Sequence, residues 1–180
     1  MMARLACVAL VAILILGCAA TFQTAPAGSE VAPATRIRDA RPQIEREGKL
    51  LPYGRGVSAN MLGDNSFQPD RLAVLEQRFL QRLGPQVQTI ELKNFNVVLL
   101  LPINTPLGQM IFPNMPASVK GITDFTTTWV LIELRGSVDG TAFSSDHAEP
   151  FPKPAFGQQH ETMQRALGAA IDKAIDTVSK

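Results

Sequence analysis

The chain has 180 residues, with 17 Lys and Arg against 16 Asp and Glu, so its charge is nearly balanced. Nucleic-acid binders usually carry a basic excess gathered on one face, and this balance argues against a nucleic-acid partner. Its length suits one domain, 46% hydrophobic residues support a packed core, and 13 Pro with 13 Gly point to many loops instead of a helical bundle.

In chain order, Arg4 precedes an unbroken apolar run from Leu5 to Leu16, which ends in Gly17 and Cys18. A charged head, a short apolar stretch and a small residue before the break make a secretory signal over 1–17. The stretch is about a dozen residues, short of the ~20 that a membrane-spanning helix needs. Ile15-Leu16-Gly17-Cys18 resembles the lipobox of bacterial lipoproteins, in which the cysteine is acylated and becomes the new N-terminus. Cys18 is the candidate lipidation site. Removing 1–17 also removes Cys7, so the mature chain keeps only Cys18 and has no internal disulfide. Exported chains of modest size often use disulfides, and a lone terminal cysteine is better explained by acylation than by chance after an ordinary signal. The resemblance implies three acyl chains. At ~0.8 kcal/mol per buried CH₂, three make an effectively permanent anchor. Ala19 stands where the inner-membrane retention signal of such proteins is an aspartate, which favours the outer membrane and its periplasmic face.

Residues 18–33 are small and polar with Pro and Gly, and read as a lipidated N-terminus on a flexible tether with a reach of ~20 Å. A single domain then occupies 34–180. Ala34 to Ala40 alternates as a strand, with Asp39 on the Ile37 side needing a partner if covered. Residues 41–68 are broken by Pro and Gly and suggest a pair of short strands around Leu50 and Val57. The clearest helix begins near Pro69, with Asp70 in its first turn. Leu72, Leu75, Phe79, Leu80 and Leu83 form its apolar stripe, and Arg71, Gln77, Arg78, Gln81 and Arg82 take the other side. Gly84 and Pro85 stop it.

Strand character returns from Val87 to Leu92 and from Phe95 to Leu101, whose continuous apolar run suggests a central strand covered on both faces, or an end entering a membrane or partner contact. Thr126 to Val138 alternates Trp129, Leu131, Glu133 and Arg135 against Val130, Ile132 and Leu134. Asp139-Gly140 marks a two-residue hairpin, because a type I′ turn needs two positive φ values. Thr141 to Ser145 returns antiparallel. A second helix runs from about Gln158 to Val178, burying Met163, Leu167, Ala170, Ile171, Ala174, Ile175 and Val178. The order predicts an α+β fold: a mainly antiparallel sheet with two amphipathic helices on one face.

Chemistry is sparse. His147 and His160, with Asp146, Glu149 and Glu161 nearby, make a metal site the sharpest enzyme hypothesis. However, His160 and Glu161 diverge by ~100° on a helix, and His147 and Glu149 read as part of a proline-rich loop. Ser144, Asp146 and His147 lack the converging segments of a hydrolase triad, and no nucleophile elbow accompanies them. Tyr53-Gly54-Arg55-Gly56 lacks the spacing of a phosphate-binding loop and reads as a turn. Neither a catalytic residue nor a cofactor or metal site is assigned. The long connection 102–121 is the candidate partner-binding loop, with Ile103, Leu107, Met110, Ile111, Phe112 and Met115 among its prolines. Exposed, these would make an adaptable apolar patch for an envelope protein or lipid; folded back, they would cover a sheet edge.

Asp39-Ala40-Arg41-Pro42 resembles the aspartate-x-arginine-proline opening of YajG-like lipoproteins. Val138-Asp139-Gly140 leading to a C-terminal amphipathic helix is similar in order to that family's end. The resemblance implies a cell-envelope location and a small α/β domain, and no activity. The leading expectation is a non-enzymatic, lipid-anchored envelope protein that binds or scaffolds a partner from the periplasmic side. Alternatives are an auxiliary subunit of a lipid or solute transport system, and a periplasmic hydrolase or metalloenzyme.

Overall fold

A computed structural model describes residues 21–53, 57–100, 127–151 and 158–179. Its elements in order are β1 (Phe22–Gln23), β2 (Ile37–Asp39), α1 (Gln43–Glu47), β3 (Gly48–Tyr53), β4 (Val57–Leu62), a 3₁₀ turn (Asp64–Ser66), β5 (Phe67–Gln68), α2 (Arg71–Leu83), β6 (Ile90–Leu100), β7 (Thr128–Val138), β8 (Thr141–Phe151) and α3 (Gln158–Val178). The fold is α+β. Its main sheet runs β3-β4-β6-β7-β8, all antiparallel, and β2 joins it parallel to β6. Strands β1 and β5 form a separate two-stranded parallel ribbon.

The long strands follow from their alternation. In β7, Val130, Ile132 and Leu134 are fully buried beneath the helices, while Arg135 between them and the turn is exposed. Their partners Leu99, Val97 and Phe95 lie on the same face of β6. The apolar run there is one continuous strand with the preceding segment, and a register shift between Leu92 and Asn94 keeps Ile90, Leu92, Phe95 and Val97 all in the core. Asp139 (φ 48°) and Gly140 (φ 85°) make the two-residue turn into β8. The Asp139 carboxylate accepts the backbone N–H groups of Gln88 at 3.0 Å and Thr89 at 2.8 Å, fixing the entry to β6. Strand β8 continues to Phe151, well past Ser145, so His147 and Glu149 sit on a strand and not in a loop.

Helix α3 buries the stripe read from its spacing: Met163, Leu167, Ala170, Ile171, Ala174 and Ile175 are buried, Val178 packs partly against the core, and Ala166 joins them. In α2, Leu75 and Phe79 are fully buried, and the Phe79 ring meets Phe143 of β8 at 5.1 Å. Asp70 is the N-cap of α2, accepting the Leu72 N–H at 3.0 Å, and Pro69 lies just outside the helix. Arg71, placed by periodicity on the polar side, is instead the largest fully buried side chain. Its position in the first turn aims it at the irregular half of the chain, whose carboxylates receive it.

The reading of 18–33 as flexible tether is corrected over its described part. Phe22, Thr24 and Ala25 are buried, Phe22 and Gln23 pair with Phe67 and Gln68, and 26–30 and 32–33 are exposed. One buried phenylalanine in a polar stretch is enough to draw the backbone onto the core.

Gly136 leaves the room that Phe143 needs. A methyl group there would stand 2.2 Å from the Glu91 carbonyl oxygen and 2.7 Å from the Phe143 ring. Gly136→Ala should therefore destabilise the domain by about 2 kcal/mol through overpacking. Urea titration should show a lower midpoint with an unchanged slope.

Candidate functional site

Cys18 and the six residues Ile103, Leu107, Met110, Ile111, Phe112 and Met115 lie outside the described residues. The described structure does fix where their segments attach. Leu100, Trp129 and Pro150 are register neighbours across β6, β7 and β8, so segments 101–126 and 152–157 leave the sheet from one end. The N-terminal residues join the fold at that end too. The Phe22 ring meets Phe151 edge-on at 5.9 Å and the His160 ring at 6.2 Å.

Four further contacts strap this N-terminal segment down. Thr24 N–H donates to the Gln68 carbonyl at 3.0 Å, and the Thr24 hydroxyl donates to the Pro69 carbonyl. Gln23 N–H donates to His160 Nδ1 at 3.1 Å, and Gln164 Nε2 donates to the Ala25 carbonyl at 2.9 Å. Further along, the buried Glu76 carboxylate accepts the Thr35 and Arg36 N–H groups at 2.9 and 2.7 Å. The chain is thus held at both ends of its exposed run.

The histidines are not brought together. His160 opens α3 and serves the strap, whereas His147 pairs with Glu149 at 3.1 Å and lies 3.4 Å from Lys173 Nζ. The 13 helical steps from His160 to Lys173 span ~20 Å. Glu149 also receives Arg165 at 2.9 Å. Ser145, next to the Ser144 of the weighed triad, donates its hydroxyl to the Ala170 carbonyl at 2.6 Å and joins sheet to helix. Among the described residues no group of three or more His, Cys, Asp or Glu is placed to hold a metal ion. Also among them, no helix is long and apolar enough to cross a membrane. Two open clefts lie at the surface. One of about 440 Å³ is lined by Pro150, Phe151, Gln158, Glu161 and Arg165, and one of about 380 Å³ by Val31, Ile37, Asp39, Pro69 and Leu72.

The densest polar chemistry is a buried cluster that periodicity does not reveal. Arg41, with no exposed side-chain surface, holds Asp39 at 2.8 Å and Asp64 at 2.9 Å. Arg71, equally buried, donates to Asp64 Oδ1, which Arg41 also reaches, at 2.9 Å and to the Glu45 carbonyl at 2.7 Å. Its guanidinium lies 5.0 Å from the ring centres of both Phe67 and Phe95, whose faces compensate the Nη1 that has no acceptor. The Glu45 carboxylate accepts Phe95 N–H at 2.8 Å and Asn94 Nδ2 at 3.2 Å. It fills the stretch of the β6 edge between its pairing with β2 and its pairing with β4.

Burial pushes the Glu45 carboxyl up from its ordinary value, against the Phe95 hydrogen bond and the charges of Arg41 and Arg71. Burial likewise lowers Arg71, against the attraction of Asp64. For Arg41, burial is outweighed by hydrogen bonds and charge from Asp39 and Asp64, and its pKa rises. For Asp39, burial is outweighed by Arg41, and the carboxyl is held below its ordinary value. The only sequence signal of this cluster was the need of Asp39 for a partner, together with Asp39-x-Arg41-Pro42. The cluster is a fastening, with its charges spent on one another and on the backbone.

No protein-family model, curated protein or solved structure matches the chain.

Arg41→Ala should cost about 3 kcal/mol, because it leaves two carboxylates facing a site built for a cation. The pH dependence is also defined. A carboxyl with a lowered pKa stabilises the fold above its unfolded value of 3.8 and loses that contribution as pH falls through the folded value. Asp39→Asn should therefore be destabilised relative to wild type at neutral pH, with the gap closing below pH 3.8 in urea titrations across pH.

Proposed function

We propose that this chain is a lipid-anchored cell-envelope protein, acylated at Cys18, with its domain on the periplasmic face of the outer membrane. It binds or scaffolds an envelope partner and performs no catalysis. One observation carries the reading: a lipobox-like Ile15-Leu16-Gly17-Cys18 stands four residues ahead of Phe22, the first core residue of the folded body. A folded domain that starts so soon after an acylated position would be held close to the membrane surface.

The engagement of its polar groups supports a binding role. His147, His160 and Ser145 each meet a partner on another element, Lys173, Gln23 and Ala170 in turn. The Arg41 and Arg71 charges are met internally. The apolar sequence of 102–121 is rooted at the sheet end where the N-terminal segment docks, which would set it beside the membrane and its proteins. The likeness of Asp39-x-Arg41-Pro42 to YajG-like lipoproteins agrees with an envelope location.

Radiolabelled palmitate should be incorporated by the wild type and not by Cys18→Ser, and the variant should move from the membrane to the soluble fraction. Identical fractionation of the two would refute the anchor. The binding role has its own test. An Ile111→Ser/Phe112→Ser double variant should lose most envelope partners recovered by crosslinking from intact cells, while keeping the wild-type melting temperature. A large fall in that temperature would assign the two residues to the core instead.

A further inference from the structure

The anchor and the fold are too close together for the body to tumble freely. From Cys18 to Phe22 the chain advances four residues, at most about 14 Å when fully extended. Beyond Phe22 no slack is added, because the strap to Gln68, Pro69, His160 and Gln164 fixes 22–25 to the body. The anchored point is also off-centre. Phe22 sits against Phe151, at the sheet end where Leu100 and Trp129 are register neighbours, and the Asp139–Gly140 turn marks the opposite end. Nine residues of β7 separate Trp129 from Val138, about 30 Å.

Near the strap, the exposed Gln23 and Gln158 stand beside the exposed Glu161 and Arg165, a polar surface that suits contact with lipid headgroups. Partly exposed ion pairs of Arg78 and Arg82 with Asp172 and Asp176 crowd the helix surface toward the C-terminal end of α3. We propose that the sheet end marked by Phe22, Trp129 and Phe151 docks on the phospholipid leaflet. The protein then stands in one orientation, with the Asp139–Gly140 turn pointing away from the membrane. This rests on acylation of Cys18 and adds to it a contact surface and a direction.

Trp129 is the single tryptophan and a ready probe. The full lipidated protein is reconstituted into phosphatidylethanolamine–phosphatidylglycerol vesicles containing a dansyl-headgroup lipid, and energy transfer from tryptophan is read. It is compared with a Trp129→Phe/Gln88→Trp variant, whose probe is exposed and lies beside Asp139 at the far end. Transfer from Trp129 should exceed that of the variant by roughly twofold or more, given the ~30 Å between the ends. Inserting a Gly-Ser linker of about fifteen residues before Thr21, with an r.m.s. reach of ~20 Å, should bring the two values together. Equal transfer from both positions without the linker, with all proteins floating with the vesicles, overturns the orientation and leaves the anchor standing. Failure of the wild type to float overturns the anchor, and the orientation with it.

Discussion

The Asp64 carboxylate, shared by two buried guanidinium groups, is the interaction on which the rest of the structure depends. Its Arg41 partner fastens the end of β2, and its Arg71 partner fastens the first turn of α2. Through Arg71 and the Glu45 carbonyl the same centre reaches α1, and through Glu45 it reaches the open edge of β6. The segment from 37 to 71 has short elements and few apolar residues, and could not bury enough surface to hold itself. Two arginines and three carboxylates do it instead. The cost of burying a charge is met here by pairing, by backbone donors and by aromatic faces.

That arrangement explains which parts of the chain could be read in advance. Strands β6 to β8 and both long helices are legible because each presents one apolar face to a single core, so spacing and burial carry the same information. Asp139-Gly140 is legible because only a few residues accept two positive φ values in succession. Arg71 is not. Periodicity assigns a side chain to a helix face by residue type, and a long arginine in a first turn can reach back past the helix end to a carboxylate 7 residues earlier. Helix α1 escapes for a related reason: at 5 residues it has no period, and its place is set by Glu45 reaching β6. The extent of β8 was obscured by Pro150 and by charged residues, which a strand tolerates where they meet Arg165 or Lys173 at the helix surface.

The N-terminal strap is the consequential difference between composition and structure. Small polar residues with Pro and Gly describe a disordered linker, and most of 26–30 is exposed as that composition implies. Phe22 departs from it. Burial of one such ring is worth about 2 kcal/mol, and the parallel pairing with Phe67 and Gln68 gives the adjacent backbone its hydrogen bonds. Two distant parts of the chain supply the receiving surface: β5 just before α2, and the first turns of α3. No local window of sequence contains that information.

Position of the strap, more than its strength, gives it functional meaning. A tether of fifteen flexible residues would leave a domain free to present any face, so a partner-binding surface could lie anywhere on it. A segment pinned at residue 22 removes that freedom from the chain that follows it. The exit points of 101–126 and 152–157 then lie at the strap's end of the sheet, and the ionic side of α2 and α3 lies toward the other.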